Sequence, residues 1–305
     1  MIDWWLAKER EADRAFSYIT SNNCSRDEPT NPARIKANLR VSPGPTFVGL
    51  WGGSKETKEG IADSADAAVL DYLYHSLIMA KRFLFHSMDG GKPMYLLNSQ
   101  EYKVYLLFCD THHIVANGIE PKRTEQYFES LETLLEKTDE RYRNKWKRNR
   151  RVPVIPGWAS GDSSIYLNLV RLSDILQDLT GLEDDDFAYA NQISREKTEE
   201  IMANKEFVDL LADKARRHSL RVREKDADPV KIAKLYAQLE IFFLRKVNSY
   251  KSNRFNKADF TNAVFFSYSE PRIQRPIAEA ADVPMLYFHS TGKGHHECPW
   301  YIKRD

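Results

Sequence analysis

The chain has 305 residues, 42% of them apolar and 29% charged, which is typical of a folded globular protein and not of a disordered one. Its 45 Lys and Arg residues nearly cancel its 44 Asp and Glu residues, so any attraction to nucleic acid has to come from local patches. Three widely spaced cysteines, Cys24, Cys109 and Cys298, argue against a disulfide scaffold and for a reducing compartment.

The N-terminus does not have the pattern of a signal peptide. Met1–Leu6 runs directly into the charged residues 8–11, without a basic segment followed by an apolar one. No stretch approaches the roughly 18 uncharged apolar residues of a transmembrane helix. We therefore expect a cytoplasmic protein that has no membrane partner, and a protein carried in a virion also fits.

The first 62 residues predict a helix followed by an arm. Residues 3–20 have the spacing of an amphipathic helix. Residues 22–61 are rich in Pro and Gly, with one apolar island at Thr46–Trp51. A loop of this length favours an extended strap across the surface.

The next segment predicts a buried helix and a β-hairpin. Apolar residues follow Asp63 at helical spacing and widen almost all round the helix before Gly90 and Gly91 end it. Met94–Leu97 and Tyr102–Phe108 then have the pattern of two strands joined by a tight turn.

Four further helices and two short strands are predicted. The helices span residues 122–149, 163–180, 194–217 and 228–250, and the last opens with an Asp228 cap before Pro229. Ser194 is the predicted cap of the third helix. The short strands are 263–268 and 285–289.

These elements predict a mainly α (α+β) protein. It would be helix-dominated, with a minor β-hairpin or small sheet and a long Pro/Gly-rich N-terminal arm. The alternation of helix and strand is irregular, so a doubly wound α/β sheet is not expected. The predicted units are 1–62, the helix and arm; 63–258, a helical core containing the hairpin at 94–108; and 259–305, strands and loops packing on that core. A subdivision of the core would fall at 152–162.

Histidines and cysteines concentrate in two short segments, 109–113 and 289–298. Zinc requires three or four Cys, His or carboxylate ligands. One pair of ligands would come from each segment: Cys109 with His112 or His113, and His295 or His296 with Cys298. The candidate set is Cys109, His112, His295 and Cys298. Neither the zinc deaminase pattern nor H-E-x-x-H covers them. The alternative is a buried cysteine and hydrogen-bonded loop histidines.

Basic residues with interleaved aromatics predict contact with nucleic acid. They lie at or beyond predicted helix ends, where cations also complement the helix dipole. The alternative is that these residues form a solvated or subunit-facing surface. The candidate residues are Arg141, Arg143, Lys145, Trp146, Lys147, Arg148, Arg150, Arg151, Arg216, Arg217, Arg221 and Arg223.

No established catalytic set is present, and no catalytic residue is predicted. The sequence favours a self-assembling or nucleic-acid-associated structural protein of the viral coat or nucleoprotein type. Such a protein would form homo-oligomers and bind RNA in preference to DNA. The competing hypothesis is a zinc-dependent hydrolytic enzyme built on the two His/Cys segments, with Glu297 as acid or base.

Overall fold

Helices predominate around a small sheet, as the sequence predicts for the fold class. The structure is a computed structural model, and it describes residues 12–13, 16–17, 20, 28–40, 45–52, 59–64, 66–71, 73, 102–148, 165–179, 184–251 and 259–288.

The sheet has five strands in the described part of the chain, and all of their pairings are parallel. The strands are β1 (Thr46–Trp51), β2 (Tyr102–Phe108), β3 (Ile165–Arg171), β4 (Ala263–Ser267) and β5 (Met285–Tyr287). Their spatial order is β3-β2-β1-β4-β5. From the central β1 the chain first builds outward on one side and then on the other. This is the strand order of a doubly wound sheet, so the prediction that no such sheet would form is wrong. Strand and helix appear to alternate irregularly in the sequence because β1 has the pattern of a loop and β3 that of a helix. Doubly wound sheets bind ligands beyond the carboxyl ends of their strands.

The helices lie between the strands in sequence and on both faces of the sheet in space. They are α1 (Pro32–Leu39), a segment that is helical at 64–73 wherever it is described, a π turn (His112–Ala116), α2 (Pro121–Arg148), α3 (Leu172–Leu179), α4 (Asp184–Met202), α5 (Lys205–His218), a 3-10 turn (Arg221–Arg223), α6 (Pro229–Asn248) and α7 (Pro271–Ala281).

Side chains alternate between two hydrophobic cores along each strand, as the pleat of a strand requires. Phe47 and Trp51 of β1 pack against α1, the 64–73 helix and α2. Val48 faces the opposite core, which is built from α3, α5, α6 and α7. The sheet is therefore covered on both faces, as expected of parallel strands.

A glycine in β1 leaves space for an aromatic side chain of the neighbouring strand β4. A Cβ built on Gly49 of β1 would lie 2.2 Å from ring atoms of Phe266 of β4. Any larger residue at 49 would have to displace this buried ring. Gly49 therefore makes room for Phe266 between β1 and β4.

The structure changes the interpretation of the predicted N-terminal arm. Thr46–Trp51 is the central strand of the sheet, and Pro32–Leu39 is a helix. Residues 21–27, 41–44 and 53–58 of that arm lie outside the described residues. A fully buried parallel strand is a short continuous apolar run, and Thr46–Trp51 has this pattern. Because Pro and Gly residues flank the run, the sequence around it has the composition of a loop.

The predicted hairpin is wrong in its pairing. Tyr102–Phe108 is a strand, but its two edges pair with the parallel strands β1 and β3. No edge is left over these residues for an antiparallel partner. The other predicted hairpin strand, 94–97, lies outside the described residues.

Two helix predictions need correction, and others are confirmed. The predicted helix 163–180 is the strand β3 followed by α3. Ser194 caps no helix but lies buried inside α4, and a new helix begins after Asn204, whose side chain accepts from the amide of Phe207. The predictions of α2, β4, β5 and the Asp228 cap of α6 are confirmed.

The outer edge of β5 meets a residue from near the start of the chain. Thr30 and Met285 form an isolated antiparallel bridge, with amide-to-carbonyl distances of 2.9 and 3.2 Å. The Thr30 hydroxyl also lies 2.6 Å from the Tyr287 hydroxyl. The residues before α1 are thereby attached to the last strand of the sheet.

None of the helices in the described ranges combines the length and apolarity that crossing a membrane requires. The predicted unit boundary at 152–162 lies outside those ranges.

Candidate active site

The first predicted His/Cys segment lies at the carboxyl end of β2, near the middle of the sheet. The Cys109 amide donates to the Trp51 carbonyl at 3.0 Å, so the ends of β1 and β2 are adjacent. The chain then enters the π turn, where the Asn117 amide donates to the His112 carbonyl. Isolated π turns are uncommon and occur frequently at functional sites.

His112 pairs with a carboxylate in the protein interior. Its Nε2 lies 2.9 Å from Oε2 of Glu240 on α6, and the two side chains are only 2% and 3% exposed. Neither imidazole nitrogen makes a well-aligned hydrogen bond within the described chain, so the two side chains are paired by proximity. Burying charge is costly unless it is paired, and this pair therefore requires an explanation.

Further polar side chains surround the pair. Tyr236 precedes Glu240 by one helical turn, and its ring centroid lies 5.3 Å from that of His112. Buried Gln274 of α7 donates from Nε2 to the Tyr236 hydroxyl at 3.4 Å. The Lys214 ammonium of α5 lies 5.1 Å from the Tyr236 ring centroid, a cation–π distance. We call His112, Lys214, Tyr236, Glu240 and Gln274 the polar cluster.

The polar cluster keeps Glu240 ionised. Burial raises the pKa of Glu240, but the nearby side chain of His112, with Lys214 and Tyr236, outweighs this effect and holds that pKa below its ordinary value. Burial and the Glu240 charge hold the pKa of Tyr236 well above its ordinary value. At neutral pH the cluster therefore contains a carboxylate beside a protonated phenol.

Lys214 is the cation at the rim of the polar cluster, where its side chain keeps partial exposure to solvent. Burial lowers the pKa of Lys214, and the negative charge of Glu240 opposes part of that effect. An amine of this kind gives up its proton more readily than an ordinary surface lysine does.

Of the four predicted zinc ligands, the structure describes only Cys109 and His112. Cys109 is buried, its thiol donates to the Leu107 carbonyl at 3.6 Å, and burial raises its pKa well above the ordinary value. His112 faces Glu240. His295 and Cys298 lie outside the described residues. Among those that are described, no group of three or more His, Cys, Asp or Glu side chains could hold a metal ion.

The first predicted nucleic-acid segment begins within the last turns of α2. Arg141 pairs with Asp71. The backbone of α2 is helical to its last residue, and this stretch includes Arg143, Lys145, Trp146, Lys147 and Arg148. Arg150 and Arg151 lie outside the described residues. The structure therefore places the start of this segment on a helix and leaves its interaction with nucleic acid a prediction.

The second predicted segment lies against the π turn. Arg216 and Arg217 end α5, and Arg221 and Arg223 form the 3-10 turn that follows. We call residues 216–223 the basic turn. Arg217 pairs with Asp213 at 3.0 Å, while Arg216 and Arg223 are exposed.

Hydrogen bonds join the basic turn to the π turn. The Leu220 amide donates to the Asn117 carbonyl at 2.8 Å, and the Arg221 guanidinium donates to the Ile114 carbonyl at 3.4 Å. The Ser219 hydroxyl approaches the carbonyls of residues 116 and 117 at 3.4 and 3.3 Å. The predicted basic segment thus adjoins the element that carries His112.

Neither Tyr236 nor Glu240 of α6 is among the candidate site residues predicted from the sequence. One signal was available: Glu240 interrupts the run Leu239–Leu244 one turn after Tyr236, and a carboxylate within an apolar face needs a buried partner. Lys214 is not among those candidates either, and its sequence neighbours Arg216 and Arg217 suggest only a basic surface.

Comparisons with known proteins give no relative for this chain. No protein-family model matches it, no curated protein is similar to it, and no solved structure matches its fold.

Proposed function

We propose that the protein is an enzyme that uses the polar cluster for general acid–base catalysis. The observation that carries the proposal is Glu240, a buried carboxylate kept ionised beside Tyr236 and His112 at the carboxyl end of β2. Perturbed titratable groups of this kind concentrate at functional sites. The carboxyl ends of the strands are also where doubly wound sheets bind ligands.

The proposed chemistry is proton transfer from a substrate hydroxyl or amino group. Glu240 accepts a proton through Tyr236, whose hydroxyl passes its own proton to the carboxylate while taking one from the substrate. Both groups are in the protonation state this requires at neutral pH, since the pKa of Glu240 is lowered and that of Tyr236 is raised. Lys214 at the rim would stabilise negative charge on the substrate or return a proton to it.

The proposal is tested by comparing the wild type with Glu240→Gln on a broad substrate mixture. Each protein is incubated with a metabolite extract supplemented with nucleotides, and changes in composition are followed by mass spectrometry. We expect a conversion that Glu240→Gln slows by a factor of about 100 or more.

The matched control is Glu199→Gln, which alters an exposed glutamate of α4 that pairs with Lys234. It should convert the substrate at the wild-type rate. A folded Glu240→Gln variant that retains full activity would contradict the proposal, as would a wild type that converts nothing.

A second candidate function is association with nucleic acid, RNA more than DNA. The observation that favours it is the position of the basic turn beside the π turn, with Arg216 and Arg223 exposed. Phosphate contacts by such side chains make binding steeply dependent on salt.

Fluorescence anisotropy with labelled single-stranded RNA and DNA of the same sequence tests this function. Arg216→Ser/Arg223→Ser should weaken binding and flatten its salt dependence by about two phosphate contacts. Arg195→Ser, which removes an exposed arginine of α4, is the control. Equal binding by the double variant and the control would rule out the basic turn as an interface.

Self-assembly into a coat-like particle and zinc-dependent hydrolysis stay predictions. Sedimentation over a range of salt concentrations tests the first, with a large salt-sensitive oligomer as its expected result. Elemental analysis tests the second: it requires about one zinc per chain, lost when Cys109 and Cys298 are both changed to Ser.

A further inference from the structure

Asp110 joins the carboxyl ends of β2 and β3 immediately before the π turn. Its carboxylate is 6% exposed and accepts hydrogen bonds from the amide of Thr111 at 2.9 Å and from the amide of Ser173 at 3.1 Å. The Ser173 hydroxyl makes a short hydrogen bond to the other carboxylate oxygen. The carboxylate thus caps the first turn of α3 from a different strand.

These contacts limit where the π turn can lie. Asp110 is two residues before His112, and the β2 backbone on its other side is hydrogen-bonded to β1 through Cys109. Ser173 belongs to α3, which directly follows β3. The π turn therefore begins from a backbone position that is held by both neighbouring strands.

We infer that Asp110 is a positioning residue, which sets the place of His112 against Glu240 through its hydrogen bonds to Ser173 at the start of α3. Asp110 touches neither member of the pair in this scheme and has no role in proton transfer. The inference rests on the proposed function only in that it concerns the same site.

A role in positioning and a role through charge predict opposite signs. If Asp110 positions His112, its loss loosens the pair with Glu240, and the pKa of Glu240 rises towards the ordinary value. If Asp110 acts by its negative charge, neutralising it lowers the pKa of Glu240, because one repelling charge is gone. Asp110→Asn separates the two cases.

Ser173→Ala provides a second variant without any change of charge. It removes the hydroxyl bond to Asp110 and leaves the backbone amide of Ser173 in place. Positioning predicts a rise in the pKa of Glu240 here too, smaller than in Asp110→Asn. A pure charge effect predicts no change. This milder variant also keeps the inference testable if Asp110→Asn does not fold.

The control is Asp66→Asn, which alters an aspartate of similar burial on the other face of the sheet. Asp66 accepts from the Tyr127 hydroxyl at 2.8 Å and from the amide of Asp63 at 3.0 Å, and it is 7% exposed. Its loss should destabilise the protein without moving the titration of Glu240. General loosening of the fold is thereby distinguished from positioning.

The measurement is a carboxylate carbon-13 NMR titration of Glu240, assigned with Glu240→Gln. The position of the His112 Cε1–H resonance at neutral pH is a second readout. We expect both to move in Asp110→Asn and Ser173→Ala and to stay unchanged in Asp66→Asn. An unchanged or lowered pKa of Glu240 in folded Asp110→Asn overturns the inference. Because no activity is measured, this outcome is independent of whether Glu240→Gln abolishes catalysis.

Discussion

Oε2 of Glu240 lies 2.9 Å from Nε2 of His112, and both side chains are withdrawn from solvent between α6 and the π turn. Removing one partner of a buried pair leaves an uncompensated charge, whereas removing both does not.

His112→Leu is therefore expected to cost about 3–5 kcal/mol in the free energy of unfolding, because it leaves the buried Glu240 carboxylate without its nearest polar partner. Urea denaturation at neutral pH gives the value. The double variant His112→Leu/Glu240→Met should recover most of the loss, since no charge remains to be buried. If the double variant is as unstable as the single one, the pair is not what stabilises this region.

The stability of the protein should depend on pH through His113. This histidine is 2% exposed, and burial, with the neighbouring His112, lowers its pKa to about 3. Between this value and the ordinary 6.5 the unfolded chain binds a proton that the folded chain does not. Stability is therefore expected to fall as the pH falls through that window.

Urea denaturation at pH 7 and pH 5 measures this dependence. A single group of this kind should contribute about 2 kcal/mol to the difference, and His113→Gln should remove that contribution. A variant with the same pH dependence as the wild type would show that His113 is not the cause.

Gly49→Ala should destabilise the sheet by about 1–3 kcal/mol, because the new methyl group would overlap the ring of Phe266. Thermal denaturation measures the effect. Gly52→Ala, at the other end of the same region, is the matched control, since a Cβ there meets nothing within 4 Å. Equal stability of the two variants would contradict the β1–β4 packing.

Arg171→Met should separate α2 from the end of β3. Arg171 makes two hydrogen bonds to Glu125 and lies 3.9 Å from the Phe128 ring centroid. We expect a loss of about 1 kcal/mol, because a two-pronged guanidinium contact that also stacks on a ring is stronger than a simple ion pair. Arg217→Met breaks an exposed pair within one helix and should cost less than about 0.5 kcal/mol. The denaturant midpoints of Arg171→Met and Arg217→Met are compared, and the midpoint of Arg171→Met should be the lower of the two.

Strands β2, β4 and β5 could be predicted from the sequence because each is a short apolar run rich in aromatic or β-branched residues. Their parallel pairing could not, since the partners are far apart in sequence and the helices between them vary in length. β3 could not be predicted for a different reason. Ile165, Leu169 and Leu172 have the spacing of a helix, although the first two lie in β3 and Leu172 is the first residue of α3.

The candidate site could be predicted only in part. The density of His and Cys residues at 109–113 suggests a metal site, whereas the structure pairs His112 with a glutamate. Glu240 and Lys214 come from helices that follow residue 200, and only the folded chain shows that they meet. The charge state of a buried group depends on partners that are distant in sequence. The spacing of residues along the chain does not show which residues these partners are.

The bridge between Thr30 and Met285 sets a condition on how the chain folds during synthesis. The central strand β1 is made early, yet its neighbour β4 and the partner of Thr30 are made much later. During synthesis on a ribosome, the first strands of the sheet therefore have one edge unpaired. Contacts between residues that are so far apart in sequence also slow folding. Until β4 emerges, the exposed edge of β1 is where a chaperone or a second nascent chain would bind.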